Sequence, residues 1–90
     1  MKEALEKHLK QKIVIDTRSS WVYLGILESV LQGAVELSDV DGHENRDTAS
    51  TKEVYVLESS KSGVISNRNK VYINIDYIVS FSLLSDVINF

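Results

Sequence analysis

The chain has 90 residues, a net charge of −3, 43% hydrophobic residues, and neither cysteine nor proline. That length holds one domain with a modest core, and the missing cysteines exclude a disulfide framework and a zinc–thiolate site. The acidic balance argues against a nonspecific grip on duplex phosphates, and no apolar run approaches the ~18 residues of a spanning helix.

The N-terminal segment MKEALEKHLKQK is charged throughout and lacks the apolar stretch of a signal peptide, so a soluble cytoplasmic protein is expected. Within it, Ala4, Leu5, His8 and Leu9 share one helical face while Glu3, Glu6, Lys7 and Lys10 share the other, which predicts a helix over Lys2 to Gln11. Glu3 and Lys7 would form a favourable i,i+4 pair. A helix this short needs a sheet to lie on.

IVIDT, Ile13 to Thr17, is β-branched and reads as the first strand, with Arg18, Ser19 and Ser20 as the turn. Trp21 to Leu31 and Ala34 to Val40 read as the next two strands, joined at Gln32–Gly33, where glycine supplies the positive φ of a tight hairpin. Gly25, inside the second strand, marks a bend.

Asp41–Gly42 is a turn signal, and HENRDTAS has no periodicity. Ser50-Thr51-Lys52-Glu53 matches a capping box. Val54, Leu57 and Lys61 then follow helical spacing, and Gly63 suits a helix end, which predicts a helix from Thr51 to Ser62 inside a connection of about residues 42–69. VYINIDYIVSFSLL gives two final strands with a break near Asp76. Residues 1–90 are thus expected to form one mainly β domain with two helices.

The second strand is apolar on both sides, with Val22, Leu24, Ile26 and Val30 on one and Trp21, Tyr23, Leu27 and Leu31 on the other. A strand between core and solvent should alternate. Each large apolar side chain left in water forgoes roughly 1.5–3 kcal/mol of burial, so association is expected to cover them. A small open sheet also leaves unpaired edges, and the last two strands carry no proline to guard them. Repeated head-to-tail pairing of such edges closes into a ring. Val71, Ile73, Ile75, Ile78 and Phe81 are the residues expected at that subunit contact.

Helix, five strands, Gly25-Ile26-Leu27 and Leu37-Ser38-Asp39-Val40 in the first half, and Val71 to Ser80 before the end together resemble the Sm/LSm family. The resemblance covers the chain outside about 42–69. It implies a strongly bent, five-stranded open barrel of SH3 type with an N-terminal helix, here with an extra helix between strands three and four. It also implies a homo-oligomeric ring that binds single-stranded, often uridine-rich RNA. In the family an Asp and an Asn near the second hairpin and an Arg-Gly before the last strand make the base pocket. In this chain Leu31 or a gap falls at the acid, Gly33 at the stacking residue, Ala34 at the asparagine, and Asn74-Ile75 at the Arg-Gly. Glycine and alanine neither stack a base nor read its edge.

Gln32 and Asn74 are the polar residues nearest that pocket, and either amide could pair with a base edge; turn and strand-end polar groups are the plainer reading. Tyr77 could stack a base or pack on the barrel end. Lys10, Lys12 and Arg18 form one basic group and Lys61, Arg68 and Lys70 another, which could track a phosphate backbone or be solvated surface. Asp39 to Glu44 lacks the ligand spacing of a calcium loop, and His8 and His43 stand far apart, so no metal is expected. No serine sits in a nucleophile elbow, and the glycines form no phosphate loop. No enzyme activity, cofactor or small-molecule substrate follows. RNA binding and a purely architectural ring both stay open.

Overall fold

The computed structural model describes residues 1–44 and 51–88. Helix α1 (Lys2–Glu6) precedes strands β1 (Lys12–Thr17), β2 (Trp21–Leu31) and β3 (Ala34–Glu44). Helix α2 (Lys52–Ser62) then leads to β4 (Arg68–Asn74), a one-turn helix Ile75–Tyr77, and β5 (Ile78–Leu83), with a second one-turn helix at Leu84–Asp86. The described strands form one antiparallel sheet in the order β4-β3-β2-β1-β5. No helix among the described residues is long and apolar enough to cross a membrane.

The sheet is bent by bulges. Leu24 pairs with Asp41 and Ile26 with Ser38, so β3 carries an extra residue there, and Asp39 turns at φ 48°. Gly25 faces this bulge: a Cβ on it would lie 3.0 Å from the Ser38 carbonyl oxygen and 3.2 Å from Val40. A second shift leaves Glu28 as the extra residue of β2 between the pairs Leu27–Leu37 and Ser29–Glu36. Such irregularities add twist and aim side chains anew.

They also explain β2's double-sided pattern. Val30 was expected beside Val22 and Leu24, but the bulge at Glu28 brings it to the Leu27 side, against the core of Ile13, Ile15, Val35, Leu37, Val40, Ile73 and Ile78. Val22 and Leu24 lie on the opposite face with Val14, beneath Tyr55, Val56, Val64 and Leu84. A cover for that second face is therefore supplied within the chain, by α2 and the segment after β5. Leu31 remains exposed at the hairpin.

Thr51 caps α2, its Oγ1 accepting from the Val54 N–H at 3.2 Å, while Ser50, the expected capping serine, lies outside the described residues. Gly63 ends the helix at φ 88°, its N–H donating to the Ser59 carbonyl at 2.8 Å. Two polar anchors hold α2 down. Lys52 Nζ pairs with Asp16 at 2.5 Å and donates to the carbonyls of Thr17 and Ser19 at 3.1 and 2.7 Å. The Tyr55 hydroxyl donates to Asp41, and its ring stacks on His43 at 4.0 Å between centroids. Burial, reinforced by the Asp41 carboxylate, pushes the Tyr55 phenol above its ordinary range.

Three expectations need correction. The first helix stops at Glu6 rather than Gln11, because Lys10 turns at φ 68° and its N–H joins the Leu27 carbonyl at 2.7 Å, which starts the sheet. The ion pair on α1 is Lys2–Glu6, not Glu3–Lys7. Asp41–Gly42 is strand rather than turn: Asn67 accepts from the Gly42 N–H at 3.0 Å and donates to its carbonyl at 2.9 Å, replacing a strand neighbour.

Candidate nucleic-acid interface

The Gln32–Gly33 hairpin and the one-turn helix after β4 are held together by register and by one backbone bond. Ala34 pairs with Asn74, and the Ile75 N–H donates to the Gly33 carbonyl at 3.0 Å. Gln32 is exposed at the hairpin tip. Asn74 is also exposed; its Oδ1 accepts from the Asp76 N–H at 2.9 Å, which caps the one-turn helix. That bond occupies the amide oxygen and leaves the NH2 group as donor.

Tyr77 ends the same one-turn helix, 58% exposed, and its carbonyl accepts from the Arg18 N–H at 2.9 Å. Asn74 and Tyr77 meet in one hollow of about 310 Å³, which Tyr23, Tyr72, Thr17 and Ser19 also line. Gln32 and Lys10 do not line it. Lys10 stands elsewhere, its ammonium paired with Glu28.

The residues expected at a subunit contact have inward-facing side chains in the single chain. Ile73 and Ile78 are core residues at 6% and 7% exposure, and Val71, Ile75 and Phe81 pack against that core. Tyr72, which alternates with Val71 and Ile73, and Val79, left over at the register shift between Ile78 and Ser80, are 58% and 57% exposed and present apolar surface on β4 and β5. The alternation of VYINI against its neighbours already separates Tyr72 from Val71 and Ile73. Tyr23 carried no such signal, because its strand is apolar on both sides.

Charges on the outer side of β2–β4 are mutually engaged. The Lys10 ammonium and the Ser38 hydroxyl hold Glu28 below the usual carboxylate range. Ser29 and Lys70 do the same for Glu36, and Glu36 in turn raises Lys70. Lys70 Nζ lies 3.1 Å from Glu36. Of the expected basic groups, Lys10 and Lys70 are thus matched by carboxylates of their own chain. No cluster of three or more metal-ligating side chains occurs among the described residues.

No protein-family model and no curated protein matches the chain. Solved structures do. A Pyrococcus abyssi Sm protein in complex with a uridine heptamer superposes with a TM-score of 0.61 at 13% identity, over 90% of this chain and 93% of that one. A heptameric archaeal Sm protein gives 0.61 at 16% identity, over 90% and 96%. The chain has the Sm fold. A chain of the NatC complex bound to Gag peptide and CoA gives 0.57 at 9% identity, over 88% and 89%. At these identities the shared property is the fold itself, and in this chain α2 lies between β3 and β4.

Proposed function

We propose that this Sm-fold chain is a subunit of a non-catalytic homo-oligomeric ring that binds single-stranded RNA. One observation carries the ring: β4 and β5 end the strand order, and among the described residues neither has a second neighbour. The two edges differ, so pairing one subunit's β4 with the next subunit's β5 is heterologous and repeats until it closes. Val71, Ile73, Ile75, Ile78 and Phe81 support both edges from the core side, and Val79 offers exposed apolar surface on β5. Two of the matched structures agree with this reading, one a heptamer and one holding a uridine heptamer.

RNA contact is assigned to Asn74 and Tyr77, with Gln32 on the adjoining hairpin and Lys10 in a lesser, Glu28-shielded role. Since Gly33 and Ala34 stand where the family's pocket residues would be, contact depends on stacking and on few cations. Light scattering after size exclusion tests the ring, and fluorescence anisotropy with labelled oligo-U and oligo-A tests the RNA. A monomer at micromolar concentration refutes the first, and no retention of either oligonucleotide at low salt refutes the second.

A second reading, an architectural or protein-interaction ring without RNA affinity, is favoured by the net charge of −3 and by the internal pairing of Lys10 and Lys70. The same anisotropy experiment separates the two.

A further inference from the structure

We propose that the tyrosine-lined hollow at the end of β4 is a base-stacking site that takes one nucleobase of single-stranded RNA, built on tyrosines and Asn74 rather than on the Gln32–Ala34 hairpin. This deepens the RNA reading above and rests on it. The hollow of about 310 Å³ falls at the lower end of small-molecule sites, which run from about 300 to 1,000 Å³. Its walls include three phenol rings, Tyr23, Tyr72 and Tyr77. Tyr72 and Tyr77 are 58% exposed, so faces suited to a flat partner are open to solvent.

The third ring is fixed from behind. Tyr23 stacks on Trp21 with 5.9 Å between centroids and 13° between planes, and the Arg68 guanidinium lies 5.4 Å from the Trp21 centroid. Gly42 makes room for this arrangement: a Cβ there would come within 2.7 Å of Arg68 Nη1 and 3.1 Å of Tyr23. A pre-seated ring loses little side-chain freedom when a base stacks on it.

The two aliphatic hydroxyls at the hollow are occupied within the chain. Thr17 Oγ1 donates to the Trp21 carbonyl at 2.7 Å and contacts Ser19 Oγ at 2.8 Å, and Ser19 Oγ accepts from the Trp21 N–H at 3.1 Å. The Asn74 NH2 group can donate, and the phenol hydroxyls of Tyr23, Tyr72 and Tyr77 can donate or accept. Every base offers acceptors on an accessible edge and a π-face to stack, so rotatable donors discriminate weakly and the site tolerates sequence. Arg18 adjoins it through its backbone N–H bond to the Tyr77 carbonyl, while the Lys52 ammonium behind the Thr17–Ser19 wall is already paired with Asp16. A single phosphate contact gives a salt slope near −0.7 for a single strand, shallow beside that of a basic groove.

Anisotropy titrations with labelled oligo-U and oligo-A, using wild type, Tyr72→Ala, Tyr77→Ala and Tyr77→Phe, test the site, with light scattering on each variant. Removing one stacking ring should weaken both oligonucleotides by about 5- to 100-fold. Tyr77→Phe should bind as wild type does, and every variant should keep the wild-type subunit number. Wild-type binding unchanged in both alanine variants overturns the hollow and leaves the RNA reading standing, whereas no wild-type binding removes both. Loss of the oligomer in Tyr72→Ala assigns that ring to the subunit contact and also overturns the proposal.

Discussion

Leu24→Ala measures how firmly α2 is seated. Leu24 is fully buried in the layer made by Val14, Val22, Tyr55, Val56, Val64 and Leu84, whereas Leu37 is fully buried in the cluster enclosed by the bent sheet. Large-to-small substitutions of this kind cost about 2–5 kcal/mol, and the lower values occur where the surroundings can close on the gap. Beside Leu24's layer runs a groove of about 470 Å³ lined by Val14, Val22, Val54, Val56 and Leu57, which gives α2 room to settle. Leu24→Ala should therefore cost about 2–3 kcal/mol and Leu37→Ala about 3–5 kcal/mol. In a domain of this size the smaller loss lowers the melting temperature by roughly 10–20 °C. Equilibrium urea unfolding at one fixed protein concentration reads both, the fixed concentration keeping subunit association from entering the difference. A Leu24→Ala loss below about 1 kcal/mol would mean that α2 does not bury this face, and the intramolecular cover described above would be refuted.

Gly25→Ala should destabilise by about 1–3 kcal/mol, since the new Cβ meets the Ser38 carbonyl, a backbone atom that cannot swing aside; thermal melting checks this, and a neutral result contradicts the tight approach at the bulge. On acidification, Glu28 and Glu36 contribute stability that is present above their ordinary carboxylate range and is lost as pH falls through their lowered folded values. Lys10→Met with Lys70→Met should flatten that acid limb in pH-dependent melts. Tyr55 is raised, so its contribution is present below the ordinary tyrosine value of about 10 and fades as pH climbs above it. Tyr55→Phe should reduce the alkaline loss, the remainder coming from the raised Lys70, and an unchanged alkaline limb counts against the buried phenol.

Much of the fold was legible because local chemistry and global shape agree. Gly33, Gly63 and the break near Asp76 do what their residue types suggest, and the alternation from Val71 onward orients β4 correctly. The failures share a cause. Lys10 and Asp39 adopt positive φ without being glycine, and Gly42 serves packing rather than a turn. In each case a tertiary partner overrode the local preference. The bulges at Glu28 and Asp39 are invisible in composition, yet the first decides which face Val30 joins and the second which face Val40 joins. That is why the double-sided β2 pointed to neighbouring subunits when much of its second face is closed by α2. At the candidate site, Asn74 and Tyr77 were readable from their position in the break, whereas Tyr23 depends on pairing across the sheet and on the space left by Gly42.

Lys52 joins two regions that the chain order keeps far apart. Its ammonium grips Asp16 and the carbonyls of Thr17 and Ser19, and Thr17 and Ser19 also form a wall of the tyrosine hollow. Lifting α2 would break those bonds, so one ammonium fastens the helix to a wall of the hollow.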